Sequence, residues 1–261
     1  MRRITGDGVE LAVLDEGEGP AVLLLHGFPD SARLWRHQLP TLVQRGFRVV
    51  APDLRGFGDS DKPADIEAYR VGKSVGDLTK VLDVLNIETA HVVGHDWGAG
   101  VAWAMALMAP ERVDKLVVLS VGHPGVQPTL EQREKSWYML LFQFPEAEEI
   151  LRRNDFALAR EWLATHPDLD IEGFDLTPGL NWYRANLHPS GELERRALPP
   201  VTADTMGIWS DGDAYLTENG MKRSGEHVTG RWRYERIEGA SHWMQLDAPE
   251  RVNALLLDFL A

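Results

Sequence analysis

One aspartate lies in a sequence setting that suits a nucleophile. Residues 92–100, Val-Val-Gly-His-Asp-Trp-Gly-Ala-Gly, run from an apolar β-branched stretch through two close glycines into a helix expected to begin near Ala99. Small residues permit the sharp strand-to-helix turn that projects the central side chain, here Asp96, at the carboxyl edge of a sheet. The helix N-terminus favours the charged carboxylate. We predict that Asp96 is an ionised nucleophile; the alternative is a helix cap.

A second turn could supply donors for a negatively charged oxygen. Residues 23–29, Leu-Leu-Leu-His-Gly-Phe-Pro, end an apolar strand in a glycine-containing turn. The backbone N–H of Phe28, together with that of Trp97, would then form an oxyanion hole. The alternative interpretation of His26 and Gly27 is an ordinary strand-ending turn.

Two further residues complete a possible catalytic triad. His242 follows the last predicted strand and precedes the final helix, which places it on a loop at the same sheet edge. Asp211 and Asp213 follow another strand, and we choose Asp213 as the acid because the turn must advance a few residues before a carboxylate can face the histidine. Asp211, before glycine, suits the turn itself. Asp96, Asp213 and His242 stand in the chain order nucleophile, acid, base.

These residues require a sheet with one edge that gathers strand ends. Short β-branched runs predict strands, and helix-length segments between several of them favour a doubly wound, mostly parallel α/β sheet. The predicted strands are 9–14, 21–25, 47–51, 90–93, 116–119, 205–209 and 232–237; the predicted helices include 74–85, 99–108 and 250–260.

One stretch interrupts the alternation of strands and helices. From about residue 124 to 200 the sequence predicts helices over 130–144, 146–153 and 155–165, with no convincing strand. We interpret 124–200 as a helical cap over a core formed by 1–123 and 201–261, because such an insertion can roof a pocket and exclude water. The alternative is a helical excursion beside the sheet with no role in binding.

Composition limits the partners of the chain. The 261 residues carry a formal net charge of −13, which argues against nucleic acid or an anionic membrane. The chain has no cysteine, which excludes disulfides and thiolate chemistry. No apolar run is long enough to span a bilayer and the N-terminus does not resemble a secretory signal, so we predict a cytoplasmic protein, monomer or homodimer.

The ordered motifs resemble the epoxide hydrolase and haloalkane dehalogenase branch of the α/β-hydrolase fold. The resemblance covers nearly the whole chain. Its most specific segments are His-Gly-Phe-Pro at 26–29, Asp-Leu-Arg-Gly-Phe-Gly-Asp-Ser at 53–60, Gly-His-Asp-Trp-Gly at 94–98, Asn-Trp-Tyr-Arg at 181–184 and Ser-His-Trp at 241–243.

The resemblance also implies two cap tyrosines that hold and protonate an epoxide oxygen. Tyr183, within Asn-Trp-Tyr-Arg, corresponds to one of them. The other is less direct, because some family members have tyrosine where this chain has Leu141. Tyr138 precedes Leu141 by three residues and would share its helix face. We predict Tyr138 as the second tyrosine; the alternative is a core aromatic of the cap.

A carboxylate nucleophile indicates attack on saturated carbon. Attack on an ordinary ester would create a high-energy anhydride, whereas an epoxide or an alkyl halide would give an alkyl ester of Asp96. We predict an epoxide hydrolase acting on a small apolar epoxide without metal or organic cofactor. His26, Trp97 and Trp182 are predicted to contact the substrate. The alternatives are a haloalkane dehalogenase, with Trp97 and either Trp137 or Trp182 as halide donors, and a non-catalytic ligand receptor.

Overall fold

A single sheet of eight strands organises the part of the chain that the structure describes. The structure is a computed structural model, and it describes residues 1–163, 175–187 and 198–261. The sheet order is β1-β2-β4-β3-β5-β6-β7-β8, antiparallel at β1–β2 and β2–β4 and parallel elsewhere. Its strands are β1 (Arg2–Thr5), β2 (Glu10–Glu16), β3 (Ala21–Leu25), β4 (Arg48–Pro52), β5 (Ala90–His95), β6 (Val113–Leu119), β7 (Asp204–Ser210) and β8 (Trp232–Ile237).

Helices cover both faces of this sheet, which is why its central strands are almost entirely buried and apolar. The α-helices are α1 (Leu39–Gln44), α2 (Val71–Val84), α3 (Trp97–Met108), α4 (Leu130–Lys135), α5 (Trp137–Leu141), α6 (Ala147–Leu163), α7 (Leu176–Asn186), α8 (Glu218–Arg223), α9 (Met244–Asp247) and α10 (Pro249–Leu260). Short 3-10 helices occupy Ala32–Trp35, Ile66–Tyr69, Pro110–Arg112 and Ser224–His227.

The predicted strands and helices of the core are confirmed to within a few residues. One strand was missed by sequence reasoning, namely β1, where only Ile4 is buried. Arg2 and Arg3 hide its apolar pattern, and the strand is recognisable only through its antiparallel pairing with β2. Short edge strands with charged side chains commonly lack a sequence signal because most of their residues face water.

The stretch between β6 and β7 is helical where it is described. The predicted helix 130–144 is divided into α4 and α5 at Ser136. The backbone leaves helical geometry over residues 153–156 inside α6, which agrees with the break predicted between 153 and 155. The predicted end of that last helix, at 165, lies outside the described residues.

The described ranges contain no helix that is both long enough and apolar enough to cross a bilayer.

Candidate active site

Asp96 lies in the sharp turn between β5 and α3. Its backbone has φ 52° and ψ −122°, a region that L-residues rarely adopt and that carries strain. Two glycines make the turn possible, because a Cβ at Gly98 would collide with the carbonyl oxygen of Leu25, and a Cβ at Gly27 would collide with the Asp96 carboxylate. The local sequence therefore folds so that the carboxylate projects beyond the strand end.

The carboxylate of Asp96 has a different neighbour at each oxygen. The backbone N–H of Phe28 donates to Oδ1 at 2.7 Å, and His242 Nε2 lies 3.7 Å from Oδ2. Burial alone would raise the pKa of Asp96, but His242, His95 and the Phe28 N–H together lower it below its usual value. Asp96 is therefore ionised at neutral pH.

His242 is oriented by a buried acid. His242 Nδ1 and Asp213 Oδ2 are 2.9 Å apart, and the other oxygen of Asp213 accepts the backbone N–H groups of Tyr215 and Leu216. Asp211 points elsewhere, since its carboxylate accepts the N–H of Gly239 at 2.7 Å in the adjoining turn. The structure thus brings Asp213, and not Asp211, to the histidine.

The charge of His242 depends on its two carboxylates. Burial lowers the pKa of His242, but the negative charges and contacts of Asp213 and Asp96 outweigh that effect and raise the pKa to about 10. The imidazole is consequently protonated at neutral pH while both carboxylates are charged. If Asp96 loses its negative charge, the pKa of His242 falls, because that charge is one of the two that raise it.

The predicted oxyanion donors lie on either side of the Asp96 turn. Phe28 already donates its N–H to the carboxylate. Trp97 is the first residue of α3, and the first N–H groups of a helix have no partner within the helix. The Phe28 N–H is thus bound to the carboxylate, and the role of the Trp97 N–H as the second donor stays a prediction.

Above Asp96 lies a small hollow closed by aromatic rings. Its free volume is about 10 Å³, comparable to the space one water needs. Tyr138 from α5 and Tyr183 from α7 both line it, with ring centroids 6.0 Å apart. Burial and the charge of Asp96 raise the pKa of both tyrosines well above its usual range, so both hydroxyls stay protonated. The complete lining is Phe28, Asp96, Tyr138, Tyr183, Tyr215, His242 and Trp243.

Two of the lining residues had no assigned role in the sequence analysis. The ring of Tyr215 lies 5.1 Å from that of His242 and 5.9 Å from that of Tyr138. Trp243 packs edge-on against His242, and its indole N–H donates to Asp30 at 2.8 Å. The position of Tyr215, two residues after Asp213 in the same loop, was a sequence signal for a place in the site. That its ring turns toward the hollow is visible only in the folded loop.

Two of the predicted substrate contacts, His26 and Trp182, are not among the residues that line the hollow. His26 is fully buried, its Nε2 accepts the N–H of Leu54 at 2.9 Å and its Nδ1 lies 2.9 Å from the Gly27 carbonyl. Trp182 is also fully buried and donates its indole N–H to the Arg55 carbonyl at 3.1 Å. The polar atoms of both side chains are thus bound to backbone, and a contact of either residue with substrate stays a prediction.

The third predicted contact, Trp97, lies beside the hollow. Its ring meets those of Tyr183 and Trp182 at 5.1 and 5.4 Å. The Trp97 side chain lowers the pKa of Tyr183, although less strongly than burial raises it. By contrast, the side chain of Trp137 is about half exposed.

Within the described ranges, no three His, Cys, Asp or Glu side chains are grouped so that they could hold a metal ion.

Known proteins match the chain over nearly its whole length. The family described as alpha/beta hydrolase fold matches residues 20–249, and the chain belongs to that family. The predicted fold class is thereby confirmed.

The similar proteins also narrow the branch. Epoxide hydrolase A of Mycobacterium tuberculosis (strain ATCC 25618 / H37Rv) is 34% identical over 313 residues, which cover 99% of this chain and 96% of that protein. The crystal structure of epoxide hydrolase A from Mycobacterium thermoresistibile has a TM-score of 0.81 at 34% identity, covering 99% of this chain and 97% of that one. A mutant epoxide hydrolase of Bacillus megaterium, complexed with its product, has a TM-score of 0.89 at 29% identity, covering 99% of both chains. These similarities confirm the predicted resemblance to the epoxide hydrolase branch.

Proposed function

We propose that this protein hydrolyses a small apolar epoxide to a vicinal diol through a covalent ester on Asp96. The observation that carries the proposal is one ionised carboxylate, bound to the Phe28 N–H at 2.7 Å and 3.7 Å from His242, in a hollow lined by two protonated tyrosines. The names of the relatives support the epoxide as substrate. The protein needs no cofactor for this reaction.

The first step opens the epoxide ring. Asp96 attacks one ring carbon, the bond between that carbon and the epoxide oxygen breaks, and the oxygen takes a proton from a tyrosine. Tyr183 and Tyr138 are the proposed donors, because both line the hollow above the carboxylate. The product is a hydroxyalkyl ester of Asp96 and a tyrosinate that regains its proton later in the cycle.

The second step releases the diol. Ester formation neutralises Asp96 and lowers the pKa of His242, so the imidazolium gives its proton, directly or through water, to the tyrosinate left by the first step. The neutral imidazole can then accept a proton from the attacking water. That water attacks the carbonyl carbon of the ester, and the N–H groups of Phe28 and Trp97 stabilise the resulting oxyanion. Asp213 orients the imidazole and balances its positive charge. Collapse of the intermediate breaks the bond to the alcohol oxygen, and that oxygen takes up the proton of the added hydroxyl. The diol leaves, and Asp96 is restored as a carboxylate with one oxygen from water.

The haloalkane dehalogenase alternative keeps the same nucleophile. Trp97 favours it, since this tryptophan directly follows the nucleophile and its ring lies 5.1 Å from that of Tyr183 beside the hollow. The dehalogenase alternative also calls for a second tryptophan that donates to the halide, and both candidates for that role are poorly suited. Trp182 donates its indole N–H to the Arg55 carbonyl, and the side chain of Trp137 is about half exposed. The two tyrosines have an immediate use only with an epoxide.

The proposal also covers the role of residues 124–200, the receptor alternative, the cellular location and the oligomeric state. Residues 124–200 act as a cap, as the contribution of Tyr138 and Tyr183 to the hollow suggests. The non-catalytic receptor is the other alternative, and reversible ligand binding without a covalent adduct is its distinguishing outcome. A cytoplasmic location and a monomeric or dimeric state stay predictions.

Parallel incubation of the pure protein with styrene oxide and with 1-bromobutane tests the proposal, with diol and bromide as readouts. We expect diol without bromide.

Asp96→Ala should lower diol formation by at least about 10⁴-fold, because no other group can form the ester. Turnover in ¹⁸O-water should label Asp96 itself. Bromide alone would establish the dehalogenase, and undiminished turnover by Asp96→Ala would exclude the ester mechanism.

A further inference from the structure

Side chains from the sheet hold the backbone of the loop that carries His242. The carbonyl oxygen of His242 lies 2.9 Å from Nε2 of His95 and accepts the hydroxyl of Ser120 at 3.3 Å. The preceding carbonyl, that of Ser241, accepts the hydroxyl of Ser210 at 2.6 Å. Two consecutive peptide groups of this loop are thus hydrogen-bonded to three side chains.

The three donors come from neighbouring strands of the parallel sheet. His95 is the last residue of β5, Ser120 directly follows β6, and Ser210 is the last residue of β7. All three side chains are buried, with at most 1% exposure. Hydrogen bonds in the buried, low-dielectric interior are stronger than in water, so these three restrain the position of the loop. We call these three residues the carbonyl clamp.

The protonation of His95 follows from this contact. A carbonyl oxygen can only accept, so Nε2 of His95 carries the proton and donates. Burial lowers the pKa of His95 to about 3, which keeps the ring neutral with an unprotonated Nδ1. Nδ1 is buried and has no hydrogen-bond partner among the described residues, so the ring uses its single proton on the carbonyl of His242.

Ser120 adopts an unfavourable backbone conformation at the same place. Its φ is 69°, in the left-handed region that a residue with a Cβ rarely adopts. A glycine would relieve that strain but would remove the hydroxyl that reaches His242. The strain and the hydrogen bond therefore occur at one position in the chain.

We propose that His95, Ser120 and Ser210 are positioning residues that fix the imidazole of His242 for the hydrolysis of the Asp96 ester. The inference rests on the proposed function. Asp213 holds the ring at Nδ1, whereas the clamp holds the backbone from which the ring projects. Only the second step uses His242 as a base, so loss of the clamp should slow ester hydrolysis and spare ester formation.

Ser120→Ala tests the inference by single-turnover measurement with styrene oxide, following the ester on Asp96 by rapid quench and mass spectrometry. We expect ester decay about 3- to 10-fold slower than in the wild type, with ester formation unchanged. Ser74→Ala is the matched control, because Ser74 is buried in α2 with a hydroxyl that has no hydrogen-bond partner among the described residues. The control should leave both rates unchanged.

A pair of substitutions at His95 provides an independent test. His95→Leu removes the donor and should slow ester decay, whereas His95→Gln keeps an N–H and should recover part of the rate. Equal decay rates in the wild type and Ser120→Ala, or an equal loss in both His95 variants, would refute the clamp. Absence of any ester in His242→Gln, which lacks the base for ester hydrolysis, would instead refute the proposed function.

Discussion

The floor and the roof of the hollow are built in different ways. The floor, defined as Asp96, His242, Asp213 and Phe28, consists of side chains and backbone at the ends of strands, joined by hydrogen bonds of 2.7–2.9 Å or an ion pair. The roof, defined as Tyr138, Tyr183 and Tyr215, is joined by ring-edge contacts with centroids about 6 Å apart. We infer that the floor fixes the chemistry of the ester and that the roof selects the electrophile.

Among substitutions that slow one step and spare the other, the largest effect is expected at the floor. His242→Gln removes the base but leaves Asp96 and the tyrosines in place. Ester formation should continue and ester hydrolysis should fall by about 10²- to 10⁴-fold, so that the adduct on Asp96 accumulates. Intact-mass measurement after addition of styrene oxide checks this. Full turnover without an adduct would mean that the floor does not contain the base.

A smaller effect is expected at the roof, where a substitution should slow ester formation and leave ester hydrolysis unchanged. Tyr183→Phe should lower ester formation by at least about 10²-fold, because the epoxide oxygen then leaves without a proton, and the decay of any ester formed should be unchanged. Tyr138→Phe should act in the same direction.

Tyr215→Phe is the matched comparison at the roof. It removes a hydroxyl from the same hollow, and we expect less than about a tenfold change in ester formation. A loss as large as that of Tyr183→Phe, combined with little effect of Tyr138→Phe, would assign the second proton donor to Tyr215.

The smallest expected effect concerns pH and the charges of the floor. The pKa of His242 rises from 6.5 to about 10 on folding, so its contribution to stability is complete below pH 6.5 and is lost as pH rises toward 10. The pKa values of Asp96 and Asp213 are lowered from their usual value, chiefly by His242, so both stay ionised across that range. Urea midpoints of the wild type should therefore fall more between pH 6.5 and 10 than those of His242→Gln. Parallel curves would show that His242 is not held as a cation.

The floor was predictable because its signals are local in the chain. Glycines at 94 and 98 permit a turn that other residues would block, and each strand end places the following residues at one edge of the sheet. The chain order of Asp96, Asp213 and His242 then limits the alternatives. The choice of Asp213 over Asp211 followed from the length of the turn alone.

The remaining features depend on which side chains meet after folding. The polar atoms of His26 and Trp182 bind backbone groups of residues 54 and 55, and the sequence did not predict these hydrogen bonds. No sequence pattern near position 26 or 182 predicts these hydrogen bonds to backbone. Likewise, Tyr215 and Ser120 look like ordinary loop residues until the strands are side by side.

The hydrogen bonds of α7 bear on domain exchange. Trp182 is bonded to the Arg55 carbonyl, and the Asn186 side chain donates to the Tyr69 carbonyl and accepts the Val71 N–H. These residues fasten α7, and Tyr183 with it, to the segment that follows β4. A chimera that transplants residues 124–200 from a relative would therefore separate Tyr183 from its anchors unless residues 55 and 69–71 were grafted along with it.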